Sequence, residues 1–409
     1  MRNHPWMHVA RTAAILAAAM GIGRFVYTPI LPLMTAHAGL TTSAAGHLAT
    51  ANYVGYLVGA VAGACSRRLA RSIAACRVSI VVLVAGLAAM ALTDNVFSWM
   101  VLRLIAGVAS ALVFVIAINT VLEHLHHHPP HLPGWAFGGV GIGIALSAAL
   151  VFGLPAQSGW KAAWWLAAGL TAVLGAAAWG LRPSPPAETS KDTVGKRNTK
   201  RRPFYLLFGS YTLEGTGYII AGTFLVAAIA QHSPGRLGTG AWLVVGLAAI
   251  PSAALWARLS SRYSHHVLLA TALLLQAGGI GLACTGNGLA ALIGAVLFGG
   301  TFIGISTLAL AAGRLLQFPG AVALLTTGYS VGQIIGPVAV SPFVHNGFRA
   351  VLAAGAIVVL LAAFAAISIR VVSGQPRSGV TDSEFPDTAG EGVDHGAHGR
   401  TVLIAAPDQ

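Results

Sequence analysis

Long apolar segments separated by short polar loops occupy most of the sequence. A membrane-spanning helix needs about 20 apolar residues, and segments close to that length recur about twelve times. The pattern predicts an all-α membrane protein of roughly twelve transmembrane helices. The predicted spans are 11–34, 44–66, 78–93, 96–121, 134–154, 161–181, 204–230, 238–257, 266–285, 287–312, 320–343 and 350–371.

A polar stretch divides this series of spans into two. Residues 182–203 are rich in Pro, Ser, Thr and Lys and follow the sixth span, which is typical of a flexible cytoplasmic linker. We therefore predict an N-terminal six-helix half at 1–181 and a C-terminal six-helix half at 204–372. Residues 373–409 are rich in Gly, Asp and Glu, a composition that predicts a disordered tail.

A faint internal repeat relates the two halves. Gly21-x-Gly23-Arg24 in the first span corresponds to Gly215-x-Gly217-Tyr218 in the seventh. Gly55 and Gly246 form a second pair, because each is followed by an arginine after twelve and after sixteen residues. Transporters built from parallel six-helix repeats place their substrate site at the repeat interface, near the bilayer midplane. The repeat therefore predicts two pseudo-symmetric bundles with a site between them.

Composition and charge argue against a soluble or nucleic-acid-binding protein. Of the 409 residues, 56% are hydrophobic and 9% are charged, whereas soluble domains have about 25% charged residues. The formal net charge is +13, but the basic residues cluster in loops on one side of the predicted spans, as the positive-inside rule describes. We therefore predict a multi-pass protein of the cytoplasmic (inner) membrane with both termini in the cytoplasm, a lipid partner and no nucleic acid.

The first span carries an arginine, Arg24, deep in otherwise apolar sequence. A charge there costs several kcal/mol or more unless it faces a partner or a hydrated cavity. Helical spacing places Tyr27 and Thr28 on the same face, and a guanidinium can bind a carboxylate or phosphate through two parallel hydrogen bonds. Arg24 is therefore a candidate cavity-lining residue, and a purely structural partner is the alternative.

Glu214 is the one acidic residue well inside a predicted span. At 1.5 Å per residue it lies about 16 Å along the helix from Pro203, near the membrane midplane. Tyr211, Glu214 and Tyr218 share one helix face. Burial disfavours an ionised carboxyl and a nearby arginine favours it, so Glu214 could load and unload a proton. It is either a proton-coupling or substrate site, or a structural group, hydrogen-bonded or paired with Arg24.

Other polar residues inside the spans are weaker candidates. Arg103 in the fourth span could line a cavity or extend its long side chain to the membrane surface. Asn52 and Gln333 could contact a substrate, although most such residues bond to another helix. Five histidines after the fourth span lack Cys or carboxylate partners at fixed spacing, so we predict no metal site and no cofactor; they are His124, His126, His127, His128 and His131.

Two motifs resemble those of the major facilitator superfamily. Arg103-Leu-Ile-Ala-Gly107 is similar to that superfamily's fourth-helix motif Arg-x-x-x-Gly. The loop after the second span resembles the motif Gly-x-x-x-Asp-Arg-x-Gly-Arg, in which Gly63, Arg68 and Arg71 match, whereas an arginine replaces the Asp and an alanine the second Gly. The resemblance implies the major facilitator fold and a gating role for this loop.

Longer stretches resemble the YbfB/YjiJ-type branch of this superfamily. The resemblance implies a secondary active transporter of a small organic solute that works by alternating access, and no enzyme activity. We expect a monomeric protein whose transport is coupled to protons. We expect efflux to be slightly favoured over uptake, because efflux is common in the superfamily. The alternative is a transporter-like sensor or receptor that moves no solute. The resembling stretches are Gly23–Met34, Glu214–Ile219, Gly299–Gly304 and Gly332–Pro337.

Overall fold

The computed structural model describes residues 5–125, 128, 131–155, 159–181, 201–232, 237–318, 320–340, 342–343 and 347–373. The chain up to Ser373 forms one compact unit. Most of the predicted linker, 182–200, and the predicted tail after Ser373 lie outside the described residues. The division into two halves stays a prediction.

The described residues contain fourteen α-helices and one π-helix, Ala17–Ile22. The α-helices are α1 (Pro5–Leu16), α2 (Tyr27–His37), α3 (Thr42–Cys65), α4 (Arg67–Ala70), α5 (Ile73–Met90), α6 (Val96–His124), α7 (His131–Gly153), α8 (Trp160–Ala177), α9 (Arg201–His232), α10 (Leu237–Leu259), α11 (His265–Ala283), α12 (Gly288–Leu315), α13 (Ala321–Val340) and α14 (Phe348–Ser373).

Eleven helical segments of the described chain are long and apolar enough to cross a bilayer. The first, Pro5–His37, joins α1, the π-helix and α2. The sixth predicted span corresponds to α8, which is not among these eleven segments. Its 18 residues include Lys161 and three tryptophans, and these polar and amphipathic side chains lower its mean hydropathy. The seventh span begins at Arg201, inside the predicted linker. The prediction of an all-α membrane protein with roughly twelve spans is confirmed.

Asparagine caps separate helices that the apolar pattern leaves almost continuous. Asn95 Oδ1 accepts a hydrogen bond from the Ser98 N–H at 3.1 Å, where α6 begins. Asn287 Oδ1 accepts from the N–H groups of Leu289 and Ala290 at 2.9 and 3.2 Å, where α12 begins. A side-chain oxygen at this position satisfies N–H groups that the start of a helix leaves unpaired. These caps set the boundaries of α6 and α12.

Glycines on several helices let backbones pack directly against each other. A Cβ on Gly59 of α3 would lie 2.5 Å from the carbonyl oxygen of Val108 in α6. A Cβ on Gly141 of α7 would lie 2.6 Å from the amide nitrogen of Ile250 in α10. Small residues permit such close approach between helices inside a membrane. These glycines therefore have a packing role, which holds α3 against α6 and α7 against α10.

We expect Gly143→Ala to destabilise the protein, whereas Gly153→Ala on the same helix should not. A Cβ at Gly143 would lie 2.7 Å from the Cα of Gly21, whereas no atom of the described residues lies within 4 Å of a Cβ at Gly153. Overpacking costs about 1–3 kcal/mol, so the thermal midpoint of purified Gly143→Ala in detergent should fall by several degrees. Equal midpoints for the two variants would contradict this packing.

Candidate functional site

The first span is interrupted where it carries Arg24. After the π-helix, residues 23–26 form a turn, and the Gly23 N–H bonds to the carbonyl oxygen of Ala18 at 2.9 Å. The Thr28 N–H bonds to the carbonyl of Phe25 at 3.2 Å rather than to that of Arg24. π-Helical segments inside α-helices occur frequently at functional sites. The break leaves backbone oxygens around Arg24 for partners on other helices.

Arg103 of α6 donates hydrogen bonds to these oxygens. Its Nη1 and Nη2 donate to the carbonyl oxygens of Gly23 at 3.3 Å and Arg24 at 3.1 Å. The Arg103 guanidinium also lies 5.1 Å from the centre of the Tyr27 ring, and only 1% of the residue is exposed. Asn52 Nδ2 in turn donates to the Arg103 carbonyl oxygen at 2.9 Å. Arg103 and Asn52, both candidate substrate residues, thus contact backbone and support the turn that carries Arg24.

The Arg24 side chain is enclosed by aromatic rings and one amide. Its guanidinium carbon lies 4.2 Å from the ring centre of Tyr56, 5.1 Å from that of Tyr53 and 5.4 Å from that of Phe25. Its Nη2 donates to Oε1 of Gln333 in α13, whereas its buried Nε has no hydrogen-bond partner among the described residues. The predicted residues Arg24 and Gln333 therefore meet, and the ring faces provide cation–π attraction.

A stack of parallel rings continues from this arginine into the second half of the chain. Tyr211 and Tyr329 stack at 4.5 Å, and Tyr329 and Tyr218 at 5.6 Å. Tyr218 stacks on Phe302 at 5.0 Å, and Phe302 meets Phe25 edge to face at 5.7 Å. The predicted residues Tyr211 and Tyr218 therefore lie in the same aromatic layer as Arg24. Sequence reasoning missed Phe25, Phe302 and Tyr329, although Tyr329 lies one helical turn before Gln333.

Glu214 is fully buried on α9, between Tyr211 and Tyr218 along the helix. Gln276 of α11 is the neighbouring polar side chain. Neither the Glu214 carboxylate oxygens nor the Gln276 amide atoms have a hydrogen bond of normal geometry to a described residue. The ion pairs of the described residues include Arg71–Glu123 and Lys161–Asp94, but none joins Glu214 to Arg24 in this structure.

Contacts beyond Arg24 join the first and second halves of the chain. Thr28 Oγ1 donates to the carbonyl oxygen of Gly222 at 2.6 Å. The hydroxyls of Tyr53 and Thr223 lie 2.9 Å apart. The predicted residue Tyr27 stays within its own half and donates from its hydroxyl to the Ala45 carbonyl at 3.0 Å. Thr28 therefore serves as a contact between α2 and α9 in this structure.

The predicted gating loop lies at the side of the protein where α3, α6 and α12 end, which we call the basic side. Arg71 Nη2 lies 2.5 Å from Oε1 of Glu123 at the end of α6, in a partly exposed ion pair. Arg68 is exposed and Gly63 is buried. An exposed ion pair of this kind contributes about 0–1 kcal/mol. The loop is linked to α6 by this ion pair and by a hydrogen bond from Asn119 Nδ2 to the Ala70 carbonyl oxygen at 3.5 Å.

A cavity of about 790 Å³ lies on the basic side, between α3 and α6 and the facing helices α12 and α13. Its deep end is lined by Leu57, Phe114 and Ser330. The Phe114 ring lies 6.4 Å from the ring of Tyr56, which in turn faces Arg24. Tyr56 and Phe114 therefore separate the cavity from the buried arginine.

The histidines that follow the fourth span show no metal-binding cluster in the part of the chain that the structure describes. His124 stacks on His8 with ring centres 4.0 Å apart, and its Nδ1 lies 2.8 Å from the Thr120 carbonyl oxygen. His126 and His127 lie outside the described residues.

Comparison with known protein families identifies the class of this helical fold. Residues 16–367 match the family model described as "Uncharacterised MFS-type transporter YbfB". The chain belongs to this branch of the major facilitator superfamily. It is therefore a multi-pass membrane transport protein, and its broken first span, buried arginine and basic-side cavity are parts of a transporter for a small molecule.

Solved structures show the same fold at low sequence identity. The crystal structure of the nucleoside transporter NupG superposes with a TM-score of 0.65 at 12% identity. The aligned region covers 88% of this chain and 99% of the NupG chain. Its D323A mutant gives a TM-score of 0.67 at 13% identity, with the same coverage. No curated protein sequence matches this chain. At this identity the resemblance to NupG establishes the fold alone.

We expect Arg103→Gln to destabilise the protein strongly. A shorter neutral side chain cannot reach both the Gly23 and Arg24 carbonyl oxygens, and unsatisfied buried carbonyls together with lost charged hydrogen bonds cost about 3 kcal/mol or more. Arg68→Gln, which removes an exposed arginine, is the control and should keep the wild-type thermal midpoint in detergent. If Arg103→Gln unfolded at the wild-type temperature, Arg103 would not hold the broken span.

Proposed function

We propose that the protein is a secondary active transporter that moves a small organic solute by alternating access and couples this movement to protons through Glu214. Support for alternating access comes from the asymmetry of the contacts between the two halves. On the basic side, α3 and α6 are separated from α12 and α13 by the cavity. Beyond Arg24, hydrogen bonds from Thr28 and Tyr53 close the space between the same halves. Such an arrangement fits a transporter open to one side only.

The observation that carries the coupling proposal is the burial of Glu214 with no counter-charge among the described residues. A carboxyl group buried among rings is stable when neutral, and it can ionise once water or a cation reaches it. Movement of the α9 helix that exposes Glu214 to one side or the other would then load or release a proton. Tyr211 and Tyr218, which flank Glu214 on α9, belong to the ring stack beside Arg24, so the two sites can affect each other.

We further propose that the basic side faces the cytoplasm and that the protein lies in the inner membrane, because basic loops are retained on the cytoplasmic side. Both termini would then be cytoplasmic. We also propose that the transporter is monomeric. For the direction of transport, we predict that export is slightly favoured over uptake. Flux measured in vesicles of both orientations tests this prediction.

We expect Glu214→Gln to abolish proton-driven accumulation while leaving exchange of solute intact. The amide has nearly the same shape as the carboxyl group but cannot exchange a proton. The assay compares purified wild-type and variant protein in liposomes, with a panel of organic acids, sugars and nucleosides and a pH-sensitive dye in the lumen. For any solute that the wild type carries, the proton-driven component should fall at least tenfold.

Asp94→Asn is the matched control, because it neutralises an exposed carboxylate whose partner Lys161 is also exposed. It should retain full proton-driven flux. Unchanged coupling in Glu214→Gln would show that Glu214 does not carry the proton. A complete lack of flux for the whole panel in the wild type would favour the sensor or receptor alternative.

We expect a cysteine at position 327 to be labelled from the cytoplasm. Thr327 is exposed and lines the basic-side cavity. In a background with Cys65, Cys76 and Cys284 changed to serine, a membrane-impermeant thiol reagent should modify Thr327→Cys in inverted vesicles and not in intact cells. Asp94→Cys, at the opposite ends of the helices, should show the reverse pattern. Labelling of Thr327→Cys in intact cells would contradict the proposed orientation.

A further inference from the structure

We propose that Arg24 binds a carboxylate group of the transported solute, and that this solute is a small monoanion with a planar aromatic or heteroaromatic body. The inference rests on the proposed function, since it names the solute class for the same transport site.

The charge balance around Arg24 supports an anionic ligand. Arg24 is 3% exposed and Arg103 is 1% exposed, and no carboxylate of the described residues is ion-paired with either. Gln333 offers Arg24 a neutral amide oxygen, which supplies a dipole but no charge. A buried cation without a counter-charge is strongly unfavourable. An anionic solute entering from the cavity would provide the missing charge.

The free donors of Arg24 suit a carboxylate. A guanidinium has five N–H donors in a planar fork, and among the described residues one of these, on Nη2, is taken by Gln333. The Nε donor is buried and has no partner. A carboxylate can accept two parallel hydrogen bonds from Nε and an adjacent terminal nitrogen. Arg24 therefore has a free Nε donor, and an entering carboxylate could complete the two-bond contact by replacing Gln333 on the adjacent Nη2.

The backbone contacts of Arg103 favour a monoanion over a phosphate monoester. Both terminal nitrogens of Arg103 already donate to backbone oxygens of the first span. The Nε atoms of Arg24 and Arg103 are both buried without a partner in the described residues, but Arg103 is tied to the backbone through both terminal nitrogens. Arg24 is therefore the guanidinium that can turn to a ligand, and one planar carboxylate matches its fork, whereas a phosphate would have to draw Arg103 away from the first span to bind a second guanidinium.

The neighbouring rings favour a planar body. Tyr211, Tyr329, Tyr218 and Phe302 lie in a stack whose successive planes differ by 16°, 11° and 19°. Flat rings gain energy by stacking or by edge-to-face contact with such surfaces, whereas a saturated ring cannot approach them as closely. The phenol hydroxyls at the ring edges can bind polar substituents. Movement of Tyr56 and Phe114 would admit such a solute from the cavity to Arg24.

The experiment measures binding of defined probes to the purified full-length protein by thermal shift at one fixed pH. Three aromatic carboxylates are used, benzoate, 2-naphthoate and nicotinate, each beside its carboxamide. Cyclohexanecarboxylate tests planarity, phenyl phosphate tests the charge of the anion, and uridine tests a neutral nucleoside. We expect at least one aromatic carboxylate to bind at least tenfold more tightly than its carboxamide, than cyclohexanecarboxylate and than phenyl phosphate.

Arg24 variants test the assigned residue. Arg24→Gln should weaken the preferred carboxylate at least tenfold, and Arg24→Lys, which keeps a charge but loses the fork, should bind with intermediate affinity. Arg262→Gln, which removes an exposed arginine after α10, is the matched control and should bind like the wild type. If the Arg24 variants do not fold, the comparison of each carboxylate with its carboxamide in the wild type still decides the question.

The outcomes separate this inference from the proposed function. Equal or tighter binding of the carboxamides, of phenyl phosphate or of uridine, or no binding of any carboxylate, would overturn the solute class while leaving coupling through Glu214 untouched. Arg24-dependent carboxylate binding with no flux, or with full proton coupling in Glu214→Gln, would support the solute class and overturn the transport or coupling proposal instead.

Discussion

The hydrogen bonds from Arg103 to the carbonyl oxygens of Gly23 and Arg24 hold the first span in its broken form. A continuous helix would use those oxygens internally, and in lipid each unsatisfied backbone group costs several kcal/mol. The break is therefore tolerated only because α6 supplies a buried guanidinium at that depth. Asn52 fixes α3 to the same point of α6. These contacts position Arg24 among the tyrosines.

Arg24 and Glu214, the buried groups of opposite charge, lie apart in the interior. Arg24 bonds to Gln333 beneath the rings of the first half, whereas Glu214 lies beside Gln276 in the second. A direct ion pair between them would compensate both charges and leave neither free for a solute or a proton. Because they are separated, each group has an incomplete environment that a ligand or a proton can satisfy. The cavity on the basic side ends at the rings that cover the arginine.

Much of the fold could be predicted from the sequence, because apolar length alone determines which segments cross a bilayer. The sequence also indicated Arg24, Glu214 and Gln333, since polar groups are rare and costly in such segments. It could not assign their partners. Arg24 and Gln333 are separated by 309 positions, and no periodicity along one helix specifies which residue of a distant helix lies opposite.

The sequence by itself thus determined the class of protein, the approximate spans and the few side chains able to carry charge in the membrane. Only the tertiary structure decided that Arg103 supports backbone, that Arg24 meets an amide and three rings, and that Glu214 has no counter-charge in the described part of the chain. The apolar pattern predicts the spans because the free energy of transferring a segment from water to lipid depends on the composition of that segment alone. Which polar side chains become partners depends instead on how the helices pack. Glycines such as Gly59 and Gly141 bring the backbones of neighbouring helices into contact.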